Sequence, residues 1–325
     1  MPMERKLCIA LDPLEERHRA AIREAAEALG FAPCFLPEFS EDPAPLLADC
    51  EILYTGNPAL LSSAPDSLRW FAFAYAGADS VCRNEAFLRR ENCRLTCSNT
   101  YDVTLTEHTL MVLLMLLRRL PETLATARRF WQIELPIRSI QDGRFTILGA
   151  GHIGGRIARA LKALGAASVT GVSRSGKSRE PAFDAVYPIG ELDAVLRTSE
   201  CLICVLPSTP ETRGLFTAEK FALLPQGAIF INVGRGDFLD QDALMDALKS
   251  GHLAGAAIDV ANPEPLPPEH PLWDCPNLIL TPHIAGGLVP LARSRDDNAA
   301  LFLENLRRYA AGQPLQGQVD PQTGY

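Results

Sequence analysis

Apolar residues recur along this chain in short β-prone runs, separated by longer stretches whose apolar positions fall at helical spacing. In the first hundred residues Lys6 to Leu11, Phe31 to Leu36, Glu51 to Tyr54, Arg69 to Phe73 and Arg94 to Cys97 read as strands, and Glu15 to Leu29 as an amphipathic helix closed by Gly30. Thr104-Leu105-Thr106-Glu107 has the spacing of a capping box, and the apolar run behind it to Leu117 predicts a long helix stopped near Pro121. That helix is apolar nearly all the way round, which predicts burial at a domain junction or in a subunit interface. Trp131 to Asp142 reads as irregular. Phe145 to Leu148 is then a strand, Gly149 to Gly154 a glycine turn and Arg156 to Leu164 a helix. The alternation continues with strands at Ser168 to Val172, Ala185 to Tyr187, Cys201 to Leu206, Ala228 to Val233, Gly255 to Val260 and Leu278 to Leu280. Helices fall around Leu192 to Arg197, at Thr217 to Leu224, at Gln241 to Ser250 and at Asn298 to Tyr309, and Pro263 to Pro271 is extended. Strands alternating with helices imply parallel sheets covered on both faces, the second a doubly wound sheet of about six strands.

Length and charge narrow this picture. With 325 residues two domains are expected. A net charge of −8 argues against nucleic-acid or anionic-membrane binding, since the summed field repels polyanions. Leu7 to Leu11 is too short for a signal-peptide core, and Leu110 to Leu117 is too short to span a bilayer, so a cytoplasmic protein is expected. The nine cysteines are expected to be reduced. Cys201 and Cys204 form a C-x-x-C pair inside an apolar β-prone run, where alternation points the sulfurs to opposite faces. Core packing, and no metal or redox role, is the expectation.

The glycine turn carries the first chemistry. Gly149 permits a tight turn, Gly151 lets the backbone approach a pyrophosphate, and Gly154 lets helix and strand pack closely. The helix N-terminus offers its free N–H groups to the phosphates. About 20 residues on, where an acidic residue would grip the ribose of NAD, stand Ser173, Arg174 and Ser175, with Lys177 behind. A guanidinium pairs with a 2′-phosphate that a carboxylate would repel, so NADP(H) is expected over NAD(H), which is still possible. The plain alternative is a solvated basic loop.

Three polar residues stand just past successive apolar strands: Arg235, Glu264 and His283. The carboxyl ends of strands in an open parallel sheet share one edge, so residues distant in sequence can converge there. The three types suit a 2-oxo acid: Arg235 to fork a carboxylate, His283 to exchange a proton with the carbonyl oxygen, and Glu264 to hold the imidazole in its charged form. Each taken singly has a structural reading as a turn cap, a solvated carboxylate or a loop histidine. Tyr75-Ala76-Gly77-Ala78-Asp79 follows a strand directly and suits a carboxylate by its exposed backbone N–H groups, or is a plain turn.

The stretches GAGHIGGRIA, LPSTPETRGLF, INVGRGDFLDQDAL, GAAIDVANPEPLP and LTPHIAG resemble the D-2-hydroxyacid dehydrogenase family, and within it the glyoxylate/hydroxypyruvate reductases. The resemblance covers roughly Thr100 to Gly287. It implies an α/β protein of two Rossmann-like doubly wound domains. One is a flavodoxin-like substrate domain of residues 1–98 and 289–325, and the other an inserted NAD(P)-binding Rossmann domain of residues 99–288. Helices near Thr104 and Pro290 would cross between them. The family's catalytic arginine, glutamate and histidine fall on Arg235, Glu264 and His283, and its carboxylate-binding loop on Ala76 and Gly77. Further cofactor contacts implied are His152 and Ile153, Leu206 and Pro207, Val233, Asp259 for the nicotinamide carboxamide, and Ala285 and Gly286. Members are typically homodimers through the cofactor domain. Ala261 departs from the larger residue many members carry after the Asp-Val pair.

The expected reaction is hydride transfer from NADPH to the carbonyl carbon of a small 2-oxo acid such as glyoxylate or hydroxypyruvate, giving the D-2-hydroxy acid. His283 donates the proton, and domain closure excludes water. Two other readings share the fold: a nucleotide-sensing corepressor, which resembles an NAD(H) binder, and an enzyme that oxidises phosphite or another D-2-hydroxy acid. A formate-oxidising relative would carry an amide at Glu264.

Overall fold

In the computed structural model the described residues are 5–98, 100–126, 135–286 and 292–321. The chain forms two compact units, Met1–Tyr101 with Val289–Tyr325, and Asp102–Leu288. Strands of the first unit are β1 (Arg5–Ala10), β2 (Phe31–Phe35), β3 (Cys50–Thr55), β4 (Trp70–Phe73) and β5 (Arg94–Cys97). Those of the second are β6 (Arg144–Leu148), β7 (Ser168–Ser173), β8 (Ala185–Pro188), β9 (Cys201–Cys204), β10 (Ala228–Asn232), β11 (Leu253–Ile258) and β12 (Leu278–Leu280). Near the C-terminus β13 (Gln318–Val319) returns to the first sheet.

The first sheet has the order β13-β5-β4-β3-β1-β2, in which β1 to β5 are parallel, a flavodoxin-like arrangement. The two residues of β13 pair antiparallel with Leu95 and Thr96 and close the β5 edge. They are too few to leave a periodic signal in the sequence. Helix Glu16–Ala28 buries His18, Ile22 and Ala26, four residues apart, on one face of the sheet. Helix Ala292–Ala310 lies on the same face, where Phe302 stacks on Tyr54 at 4.1 Å. It begins six residues before the expected Asn298, and Pro290 lies outside the described residues. All four residues of β4 are buried, because a central strand covered on both faces has no polar side.

The second sheet is all parallel, with the order β12-β11-β10-β9-β6-β7-β8. The strand order reverses between β6 and β9, which opens a crevice at their carboxyl ends. A separate apolar core covers each face. Cys204 belongs to one core and Cys201 to the other, as alternation requires, and burial pushes both thiols up to about 12. All nine cysteines are free.

The expected capping box is not one. Helix Asp102–Leu117 starts two residues earlier, so Thr104 and Thr106 are helical, and their hydroxyls donate to Gly286 O (3.0 Å) and Asp102 O (2.6 Å). Nor is it buried all round. Val112, Leu113 and Leu117 enter the core, while Met111 and Leu114 are 48% and 43% exposed. The helix stops before Pro121, at Arg119, whose φ of +51° leaves the helical region, and Pro121 lies in the first turn of the next helix, Leu120–Thr126. Residues 131–134 of the stretch expected to be irregular lie outside the described residues, and 135–139 have no regular structure. Among the described residues no helix is long and apolar enough to cross a membrane, and no group of His, Cys, Asp or Glu could hold a metal ion.

Candidate active site

After β12 the chain turns through Thr281 and Pro282 into His283, whose φ is +55°. Asp259, just past β11, holds the histidine in that unusual backbone region. The His283 N–H donates to the Asp259 carbonyl at 2.7 Å. The Asp259 carboxylate, 2% exposed, accepts the Thr281 hydroxyl at 2.6 Å, the Ile284 N–H at 2.9 Å and the Ala285 N–H at 2.8 Å. Such charge-assisted bonds are roughly twice as strong as neutral ones. These bonds of Asp259 anchor the His283 turn, and a carboxamide contact of the kind the resemblance implies would have to share an oxygen with them.

The His283 ring is fixed from its other side. Nδ1 lies 2.8 Å from Glu264 Oε2, and the Ala261 N–H donates to Glu264 Oε1 at 2.9 Å. An ionised carboxylate only accepts, so Nδ1 carries the proton and Nε2 is the nitrogen available to a ligand. The imidazole is half exposed. Glu264 stands on a proline-rich loop between two cis peptide bonds, Asn262–Pro263 and Glu264–Pro265. The Gln241 amide grips that loop, donating to Asn262 O at 2.8 Å and accepting the Asn262 N–H at 2.9 Å.

Arg235 leaves the end of β10. The buried Asn232 side chain ties its loop, accepting the Gly234 N–H at 3.0 Å and donating to the Arg235 carbonyl at 2.9 Å. Gly236 presses on the next loop: a Cβ there would stand 1.9 Å from Ala261 O. The small residue at 261 is therefore part of a close backbone contact that joins the Arg235 loop to the Glu264 loop. Arg235, Glu264 and His283 follow three adjacent parallel strands, β10, β11 and β12, so they share one edge of the second sheet.

The dinucleotide candidates lie along the same edge. Gly149 (φ +107°) follows β6, and a Cβ on Gly154 would come within 1.9 Å of Gly149 O, so only glycine lets the turn close onto the helix. Gly151 caps helix His152–Ala163, whose first N–H groups have no partner within the helix, and a Cβ on Gly151 would meet nothing within 4 Å. The turn therefore has the open cradle of N–H groups that a pyrophosphate needs. Ile153 is half-buried beside it. The His152 imidazole turns to Asp102 (3.0 Å), which also accepts from Arg156 (3.2 Å). Leu206 and Val233 are buried, Pro207 and Gly286 half-buried, and Ala285 buried in the core that includes Ala150.

At the end of β7 the Ser173 hydroxyl donates to Lys177 O (3.0 Å) and accepts the Lys177 N–H (3.1 Å), so it closes the turn. Arg174 and Ser175 are exposed on it. Arg174 lies near Glu211: the Thr209 side chain first and the backbone of Glu211 itself second, then Arg174 and Arg213, hold the Glu211 carboxyl below its usual range. Ala76 and Gly77 belong to the first unit, where they follow β4 half-buried.

Sequence reasoning missed Asn232, Gln241 and Thr281, the residues that fix the loops. Periodicity is silent about them, because each works through one or two side-chain bonds to a loop or strand end.

The profile of the NAD-binding domain of D-isomer specific 2-hydroxyacid dehydrogenases matches residues 110–285. The chain belongs to that family. The glyoxylate reductase/hydroxypyruvate reductase of Mus musculus is 30% identical over 328 residues, covering 94% of this chain and 95% of the mouse protein. Among solved structures, the NADPH-dependent glyoxylate/hydroxypyruvate reductase of Sinorhizobium meliloti, in complex with NADP and sulfate, is 30% identical with a TM-score of 0.81 over 99% of this chain and 100% of that one. A D-isomer specific 2-hydroxyacid dehydrogenase of Xanthobacter autotrophicus Py2, in complex with NADPH and MES, is 30% identical with a TM-score of 0.82 over the same shares. This D-isomer specific 2-hydroxyacid dehydrogenase family member is an oxidoreductase with two parallel-sheet α/β units, one of them an NAD(P)-binding Rossmann unit.

Proposed function

We propose that the protein reduces a small 2-oxo acid of the glyoxylate or hydroxypyruvate type to its D-2-hydroxy acid, with NADPH preferred over NADH. The observation that carries this reading is the His283–Glu264 pair at 2.8 Å with Nε2 turned away from the carboxylate. When bound, the dinucleotide supplies the hydride. His283 holds the proton at Nε2 for the carbonyl oxygen, and Glu264 orients the ring by its contact at Nδ1. Arg235 forks the substrate's carboxylate and offsets the negative charge building on the oxygen. In the first unit, Ala76 and Gly77 offer backbone N–H groups of the kind that suit a carboxylate.

Ser175 and Arg174 serve a 2′-phosphate on a turn that Ser173 closes, and the NADP and NADPH complexes of the two structural relatives support that preference. The working form is a homodimer through the exposed apolar face at Met111, Leu114, Leu120, Leu124 and Ile137.

A panel of 2-oxo acids assayed with NADPH and NADH at about 340 nm, where reduced nicotinamides absorb, tests the reading. Turnover of none of them would refute it, and would favour the sensing or oxidative alternatives. Arg174→Ala is expected to raise KM for NADPH by about 10- to 100-fold, the worth of one charge-assisted pair, with little effect on NADH. Equal effects on both cofactors would remove Arg174 from the 2′-phosphate site.

A further inference from the structure

A cleft on the first unit takes no part in the chemistry above. It lies at the amino edge of the first sheet, the edge opposite the carboxyl end of β4 that Ala76 and Gly77 follow. Its volume is about 740 Å³, within the range of small-molecule sites. All the residues that line it belong to the first unit. Arg5 and Arg94 line it from the first positions of β1 and β5, Arg69 from the residue before β4, and Tyr309 from the last turn of helix Ala292–Ala310. Backbone bonds hold the strand starts side by side. The Arg94 N–H donates to the Arg69 carbonyl at 2.8 Å, and the Arg69 N–H to the Glu51 carbonyl at 2.8 Å.

The Glu51 carboxylate, near the start of β3, is already engaged. It accepts Arg5 Nε at 3.0 Å and Nη2 at 2.7 Å, and the Tyr309 hydroxyl at 3.0 Å. Arg5 is held further on Phe31, its Cζ 4.2 Å from the ring centroid. The charge of Arg5 is thereby matched, but that of its two neighbours is not. Arg94 stands over the Tyr309 ring with its Cζ 5.6 Å from the centroid, and Arg69 gives Nη1 to the carbonyls of Asp66 at 2.6 Å and Leu68 at 3.1 Å. Among the described residues no carboxylate pairs with either. A ring face and backbone carbonyls orient a guanidinium without neutralising it. Two adjacent positive charges are therefore left on the cleft wall of a chain whose net charge is −8, where they repel each other until an anion comes between them.

Glu91 and Asp320 also line the cleft, exposed to solvent and paired with neither of these arginines. They limit how much negative charge the cleft accepts. A guanidinium fork matches two oxygens of a tetrahedral anion, and a phosphate group has the charge and the oxygens for two forks, whereas one carboxylate suits only one. We propose that this cleft is a binding site for a small phosphomonoester, whose dianionic group bridges Arg69 and Arg94 while Glu91 and Asp320 turn away longer polyanions.

The site stands apart from the 2-oxo acid reading and survives its failure. Calorimetric titration of the full chain with glycerol 2-phosphate, at an ionic strength held constant with potassium chloride, should show a saturable site that acetate does not occupy. Arg69→Gln and Arg94→Gln should each weaken it by about 10-fold, and the two together by about 100-fold, the worth of one and of two charge-assisted bonds. Arg94→Lys keeps the charge but not the fork and serves should the glutamine variant fail to fold; it should weaken binding by about 3-fold. Glu91→Gln removes a repelling charge and should tighten binding by about 3-fold, the scale of an exposed charge pair. Phosphate lodged instead at the Gly149–Gly154 turn of the second unit would bind all these variants alike. Absence of saturable binding to wild type, affinity unchanged in the arginine variants, or equal binding of acetate would overturn the inference.

Discussion

At the scale of residues, the proposed chemistry depends on how few freedoms remain to His283. Its backbone is held in the left-handed region by Asp259, and its ring by Glu264. Glu264→Gln preserves the shape of that pair but replaces the carboxylate that meets Nδ1 with a neutral amide. The expected result is a fall in kcat for reduction by roughly 100-fold, the lower end of what general acid catalysis contributes, with a much smaller change in KM for NADPH. Steady-state kinetics on a variant that unfolds at the wild-type temperature checks this. Gly236 makes a second point. Its missing Cβ lets the Arg235 loop lie on Ala261 backbone, which has no side-chain rotamer with which to give way. Gly236→Ala should cost about 3 kcal/mol, read as a lower urea midpoint with unchanged slope.

Between elements, the helix Asp102–Leu117 reaches the site through His108. Its Nε2 is 3.3 Å from the Thr281 hydroxyl and 3.9 Å from Asp259 Oδ1, so it stands behind the bonds that set the His283 turn. Burial lowers the affinity of His108 for a proton, and the nearby Asp259 only partly offsets this. The unfolded chain then binds the proton more readily than the folded one, so stability is complete above the ordinary histidine value of about 6.5 and is lost as pH falls below it. Wild type should lose more melting temperature between pH 7.5 and 5.5, about one unit either side of that value, than His108→Asn does. Equal losses measured by scanning calorimetry would show that His108 binds its proton equally well in both states. The same helix shows how far a local pattern reaches. The run Leu110 to Leu117 predicts a helix correctly, but burial of one face and exposure of the other is decided by the sheet it lies on.

For the whole molecule, the exposed face of that helix, with Leu120, Leu124 and Ile137, is the feature a monomer would not retain without a reason. Sedimentation should give twice the chain mass of 35.4 kDa, and Met111→Glu with Leu114→Glu should reduce it to one. A wild-type monomer would remove the dimer. The two sheets, their parallel sense and the position of the glycine turn were legible in the sequence, because strand and helix periods and the Gly149–Gly154 spacing are local properties of the backbone. Arg235, Glu264 and His283 were legible too, as polar residues standing just past apolar strands. The start of the helix at Asp102, the two-residue strand β13, the turn-closing task of Ser173 and the anchoring of His283 by Asp259 were not. Each of these depends on which backbone comes to lie beside another, through a bond or a contact of one or two atoms between residues far apart in the chain. Only the folded arrangement of strand ends fixes such neighbours, since no local repeat encodes them.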